Sequence, residues 1–221
     1  VGAPLFLPER DWSSDAGPPQ TVTLGESRVE LGRHALPGAH QETNAAVAAA
    51  AAVLLNDSAV GADAIRRGIA TATWPARLQK LGPGPLRNLL QKDAELWLDG
   101  GHNEAAATAQ AQWIADQEGD GRTTYAVVGM MQAKNPATFL TNLHAGVSTV
   151  WCVSIPGEEK ALAAEDLADL AKGVGFVAHP ADSVATALVQ IAQENPRARV
   201  LICGSLYLAG TVLSANDETV V

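Results

Sequence analysis

The stretch LDGGHNEAAATAQAQW, residues 98–113, decides how the chain is read. An apolar run ends on Asp99, Gly100 and Gly101 turn the backbone, and His102-Asn103 open an alanine-rich segment of strong helix formers. Residues 95–99 therefore read as a strand and 103–117 as a helix. The same handover recurs downstream. Apolar runs at 124–130, 149–155, 175–178 and 200–203 are followed by helical patterns at 136–143, 161–172, 182–194 and 205–213. Strands that are apolar throughout, each followed by a helix, predict an α/β layer: a Rossmann-like, mostly parallel sheet flanked by helices.

The region before Trp74 has a different texture. Thr21–Leu24 and Arg28–Leu31, separated by Gly25-Glu26-Ser27, read as a hairpin. Residues 41–56 read as a helix ended by Asn56-Asp57, and Ser58 is placed to cap a second helix reaching about Ala70. These pieces are too few to close a fold, so residues 1–73 are expected to be the tail of a larger domain and 74–221 a domain of their own.

Composition narrows the function. The 221 residues are 47% hydrophobic and carry a formal charge of -9. That rules against disorder, and an acidic surface is a poor partner for nucleic acid or an anionic membrane. No apolar run approaches the roughly 20 residues that span a bilayer. Cys152 and Cys203 lie in apolar runs and read as buried small hydrophobes, in keeping with a reducing cytoplasm. The five histidines show no metal-ligand spacing. P-loop, dinucleotide-fingerprint, nucleophile-elbow and zinc-protease motifs are all missing from the sequence.

In doubly wound sheets, ligands bind beyond the carboxyl ends of the strands. Asp99 sits there, where a carboxylate can accept from the vicinal hydroxyls of a ribose, and Gly100 and Gly101 let a ligand approach the backbone. His102 and Asn103 stand at a helix start, which favours anions; simple capping by Asp99 or Asn103 is the competing account. Arg77, in Trp74-Pro75-Ala76-Arg77-Leu78, projects from a stiffened turn and suits a phosphate; a surface linker arginine is the alternative. His40, Gln41 and Asn44 open the first helix as donors and acceptors for a base edge, or as caps. Lys134 and Ser205 follow other strands, and a solvated lysine and a helix cap account for them.

Taken together, Pro37-Gly38-Ala39-His40-Gln41 with Asn44-Ala45, Trp74-Pro75-Ala76-Arg77-Leu78, Leu98-Asp99-Gly100-Gly101-His102-Asn103, and Gly204-Ser205-Leu206-Tyr207-Leu208-Ala209-Gly210 resemble the bacterial dihydrofolate synthase/folylpolyglutamate synthase family. That family is a branch of the Mur ligases, and the likeness corresponds to its second half. The resemblance implies a carbon-nitrogen ligase of the cytoplasm. It would use ATP and Mg2+ to add L-glutamate to dihydropteroate and reduced folates through an acyl phosphate. It implies that Arg77, Asp99 and His102 are catalytic, and that Asn44, Arg77, Asp99 and His102 hold ATP. Asn44 would look toward adenine and Asp99 would hold the ribose. It further implies a P-loop domain and metal ligands upstream of Val1, inactivity of this chain alone, and a monomer. Residues 1–73 then become the end of the central ATPase domain.

The chain departs from the family pattern at several positions. Ala76 stands where the family usually has Gly, and Gly101 where it usually has Ala. Ala133 and Asn135 replace acids that usually flank Lys134, so Lys134 is given no role. A peptidoglycan Mur ligase, a Rossmann dehydrogenase or methyltransferase, and a non-catalytic nucleotide-binding module are the competing functions.

Overall fold

The apolar runs at 95–98, 124–128, 149–153 and 199–203 become neighbouring strands largely buried on both sides, whereas 177–181 forms an edge strand with Val177 exposed. The computed structural model describes residues 2, 4–15, 17, 19–57, 59–117 and 119–218. These form two compact units, Val1–Trp74 and Pro75–Val221.

In the first unit, β1 (Ser13–Asp15), β2 (Gln20–Leu24) and β3 (Ser27–Leu31) make an antiparallel sheet. The β2–β3 hairpin pairs Leu24 with Ser27 across a turn in which Gly25 has φ +56. This is the expected hairpin, extended by the short β1 that the sequence pattern does not reveal. Helices α1 (His40–Leu54) and α2 (Ala62–Thr71) follow. Ala45, Ala46, Ala49 and Ala50 form the buried stripe of α1 and pack with Val22, Val29, Leu31 and Ile65. Alanine lets the helix backbone lie close to the sheet. The expected cap Ser58 lies outside the described residues; α2 starts at Ala62 with Gly61 as its first flanking residue.

The second unit is a six-stranded sheet. Its strands are β4 (Gln79–Lys80), β5 (Glu95–Leu98), β6 (Thr124–Val128), β7 (Thr149–Val153), β8 (Val177–Ala181) and β9 (Arg199–Cys203). They lie in the order β4-β5-β9-β6-β7-β8, with β4 antiparallel and the rest parallel. The helices are α3 (Glu104–Ala115), α4 (Pro136–His144), α5 (Ala164–Gly173), α6 (Val184–Glu194) and α7 (Leu206–Ala215). A period-two alternation sorts each strand between two cores. Val200 and Ile202 of β9 face one side with Leu188 and Ile191 of α6 and Leu208 and Val212 of α7. Leu201 and Cys203 face the other with Ile114 of α3, Phe139 and Leu140 of α4 and Leu167 of α5. Each such fully buried side chain contributes roughly 1.5–3 kcal/mol. Cys152 and Cys203 are both buried in this second core, and burial pushes the Cys152 thiol up to about 12.

The last strand of the chain, β9, is inserted between the first parallel strand and the second. The helix after β5 covers one face and the helix after β9 covers the opposite face. The carboxyl ends of these adjacent strands are thus a topological switch point.

The opposite end of the same strands carries an ion cluster. Arg199, 3% exposed, donates through Nε to Glu95 Oε2 at 3.1 Å and through Nη2 to Asp120. Lys80 Nζ and Trp97 Nε1 also donate to Glu95, at 2.7 and 3.1 Å. Among the described residues, no helix is long and apolar enough to cross a membrane.

Candidate functional site

At the switch point, Asp99 continues β5 by donating its N–H to Ile202 O at 2.9 Å. Asp99 is 6% exposed, and both of its carboxylate oxygens are hydrogen-bonded within the protein. Oδ2 accepts the Leu78 N–H at 2.9 Å; Oδ1 accepts the Gly101 N–H and Gln110 Nε2, both at 2.7 Å. A carboxylate offers about four acceptor positions, so three are spent on fixing this corner. Asp99 does not cap α3. Asn103 does, accepting the Ala106 N–H at 2.9 Å.

The knot holds an unusual turn. Ala76 and Leu78 have φ of +55 and +43, a left-handed conformation that costs a residue with a Cβ about 1–2 kcal/mol. Both are pinned. The Ala76 N–H donates to Gln79 Oε1 at 2.9 Å, its carbonyl accepts the Gly100 N–H at 2.8 Å, and the Leu78 N–H is held by Asp99. Ala76 packs into one core and Leu78 into the other, so the turn straddles the sheet. Arg77 lies between them, half-buried, with Nη1 donating to Ala76 O at 3.3 Å. The positive φ supplies the reason that glycine is at home at position 76.

Two glycines give this corner its closeness. A Cβ at Gly100 would stand 2.4 Å from Leu206 Cδ2 and 3.4 Å from Arg77 Nη1. Gly204, at φ +102, would set a Cβ 2.7 Å from Gly129 O, and its N–H donates to Gly101 O at 3.0 Å. The turns after β5 and β9 are therefore stitched together. His102 is half-buried, with Nδ1 donating to Gly100 O at 3.0 Å; a carbonyl only accepts, so Nδ1 carries the proton. Ser205, 3% exposed, caps α7 by accepting the Tyr207 N–H, as expected. Lys134 is exposed, and Asn135 beside it caps α4.

The sequence candidates thus fall into two groups. Arg77, Asp99 and His102 gather at one corner of the second unit. Asn44 belongs to the first unit, exposed on α1, with Nδ2 donating to Gln41 Oε1 at 3.0 Å. Gln41 in turn bonds His40 Nε2 at 2.8 Å, and no side chain caps α1. The capping account of this motif is therefore not what the helix uses. Gln110 was not among the candidates; its only signal in the sequence is a glutamine seven residues after the cap Asn103, inside a run of alanines. No group of three or more His, Cys, Asp or Glu able to hold a metal occurs among the described residues.

The family profile described as dihydrofolate synthetase, C-terminal domain, matches residues 85–215, more than half of the chain. The chain belongs to the dihydrofolate synthetase C-terminal domain family. The folylpolyglutamate synthase of Lacticaseibacillus casei is 31% identical over 152 residues, 67% of this chain and 31% of that protein. Escherichia coli FolC in complex with ADP superposes with a TM-score of 0.77 at 26% identity, over 98% of this chain and 48% of that one. The bifunctional folylpolyglutamate synthase/dihydrofolate synthase of Yersinia pestis, complexed with AMPPNP and Mn ion, gives 0.74 at 26% identity, over 97% and 48%. The chain spans about a third of the first relative and about half of the two solved chains. The fold is the expected one: a mostly parallel sheet flanked by helices.

Proposed function

We propose that this chain is the nucleotide-gripping C-terminal portion of an ATP-dependent carbon-nitrogen ligase that joins L-glutamate to dihydropteroate and to reduced folates. The observation that carries the reading is the strained turn at Ala76–Leu78. It sets a guanidinium beside the Asp99 knot at the switch point, in a chain of this family. Left-handed backbone at two residues that bear a Cβ persists only where the surroundings over-determine it, and such strain clusters at working sites.

The chemistry needs such a grip. A carboxylate does not condense with an amine unaided in water. Transfer of the ATP γ-phosphoryl group gives an acyl phosphate and ADP, and the glutamate amine then displaces phosphate to form the amide. Positioning and charge stabilisation supply most of the catalysis in phosphoryl transfer. Arg77 meets the phosphates with a planar fork of donors. Asp99 acts through the turn, and its one remaining acceptor position is left for a ribose hydroxyl. His102, its Nδ1 turned to the Gly100 carbonyl, presents its Nε2 edge at the α3 N-terminus. Asn44 of the first unit would face adenine. The metal that accompanies the nucleotide, Mg2+ in this reading, would be held by a P-loop portion outside this chain. Residues 1–73 belong with that portion and 74–221 form the C-terminal domain; the assembly is a cytoplasmic monomer, and this chain alone is inactive.

The decisive experiment is Arg77→Ala in the intact ligase. The expected result is a KM for ATP raised about 10-fold or more with KM for glutamate unchanged. Equal ATP kinetics would remove Arg77 from the site. Turnover by the isolated 221 residues would refute the need for a partner portion.

A further inference from the structure

The fold buries Gln110 of α3 to 1% exposure, between alanines that ask nothing of a polar neighbour. Its Nε2 donates to Asp99 Oδ1 at 2.7 Å, yet its Oε1 is buried with no hydrogen-bond partner. A buried amide oxygen left unpaired opposes folding. Turning the amide over would set oxygen against a carboxylate oxygen, so the charge of Asp99 fixes which way it points. Gly101 makes room for the contact. A Cβ there would lie 2.6 Å from Asp99 Oδ1, 2.7 Å from Gln110 Nε2 and 2.6 Å from Ala106 Cβ.

The other oxygen of the same carboxylate holds the Leu78 N–H at 2.9 Å. The two oxygens share one rigid plane, so a hold on one sets the direction of the other. The Gly101 N–H also grips Oδ1, but from only two residues away along the same turn. Gln110 is what ties the carboxylate to the body of α3. We propose that Gln110 is a positioning residue for the site. Acting through Asp99, it keeps the left-handed turn of Ala76 and Leu78 in the conformation that presents Arg77, and Gly101 is the space through which it reaches. The assignment of that turn to the nucleotide rests on the function proposed above; the coupling from Gln110 to Leu78 does not.

Amide hydrogen exchange on the 221-residue chain separates the two. Gln110→Met keeps length and loses the donor. The protection factors of Leu78 and Gly101 are expected to fall about tenfold or more, while those of Val127 and Val200 at the sheet centre stay unchanged. Gln110→Glu adds a pH signature. In alkaline solution the new carboxyl ionises, the two carboxylates repel and the protection of Leu78 is lost; as pH falls the new carboxyl takes up a proton, donates to Asp99 and restores it. A role in filling space alone gives no such recovery. Unchanged protection of Leu78 in Gln110→Met, loss spread evenly over the sheet, or a pH-independent Gln110→Glu would overturn the inference. In the intact ligase, Gln110→Met is expected to raise the KM for ATP. Lost protection at Leu78 with an unaltered KM would confirm the coupling and overturn the nucleotide role of the turn.

Discussion

The Leu78 N–H donates to Asp99 Oδ2 at 2.9 Å, a bond between residues 21 apart in the chain. It joins the turn before β4 to the end of β5. It also gives the left-handed Leu78 a partner for an N–H that is otherwise buried with its residue. Asp99→Asn tests it. An amide keeps one acceptor oxygen and turns two donors on a corner already full of donors, so Leu78 or Gly101 and Gln110 must lose their acceptor. A loss of about 1–3 kcal/mol in urea unfolding is expected. The protection of the Leu78 amide should fall with it; a variant as stable as the parent would contradict the account.

Ala76→Gly should stabilise the protein. The substitution removes a Cβ from a residue at φ +55, which relieves about 1–2 kcal/mol, against about 0.5–1 kcal/mol of added chain entropy when unfolded. Set against the buried methyl that is given up, a net gain in unfolding free energy of at most about 1 kcal/mol is expected from urea titration, whereas Ala76→Val, β-branched at the same φ, should lower it.

Acid should weaken the fold through Glu95. Burial pushes its carboxyl up, but donors from Lys80, Trp97 and Arg199 outweigh that and bring it down to about 2, from an ordinary 4.5. Between these values the unfolded chain binds more protons than the folded one. The stabilisation is therefore complete above about 4.5 and is lost as pH falls toward about 2. Urea midpoints measured against pH should show this acid limb, and Glu95→Gln should flatten it while lowering stability at neutral pH. An identical limb in the variant would assign it to other groups.

Two glycines should respond in opposite directions to alanine. A Cβ at Gly146 would meet Ala111 Cα at 2.7 Å and Ala111 O at 2.8 Å, both backbone atoms that cannot step aside. Gly146→Ala is expected to cost about 1–3 kcal/mol. Gly210, inside α7, has nothing within 4 Å, so Gly210→Ala should gain up to about 1 kcal/mol of helix propensity. Thermal unfolding of the pair checks both signs in one series.

The short elements escaped the sequence because they leave too little pattern. β4 is two residues long and β1 three, which is below what alternation can reveal. The helix starts were readable to within about three residues, because caps such as Asn103, Ser183 and Ser205 mark them chemically. The choice between Asp99 and Asn103 as cap was open in one dimension. It is settled by where the two side chains point once α3 packs: Asn103 onto its own helix, Asp99 inward to Leu78, Gly101 and Gln110.

By itself, the order of residues determined that parallel strands would alternate with helices, since runs apolar on both faces can be buried only between two helical layers. It also determined that chemistry-bearing side chains would lie just after strands. Tertiary structure alone decided that β9, last in the chain, enters beside β5. That single insertion puts Gly204 against Gly101 and lets helices of opposite faces diverge at Asp99. Strand neighbours are chosen by packing between segments about a hundred residues apart, and no local pattern encodes that choice.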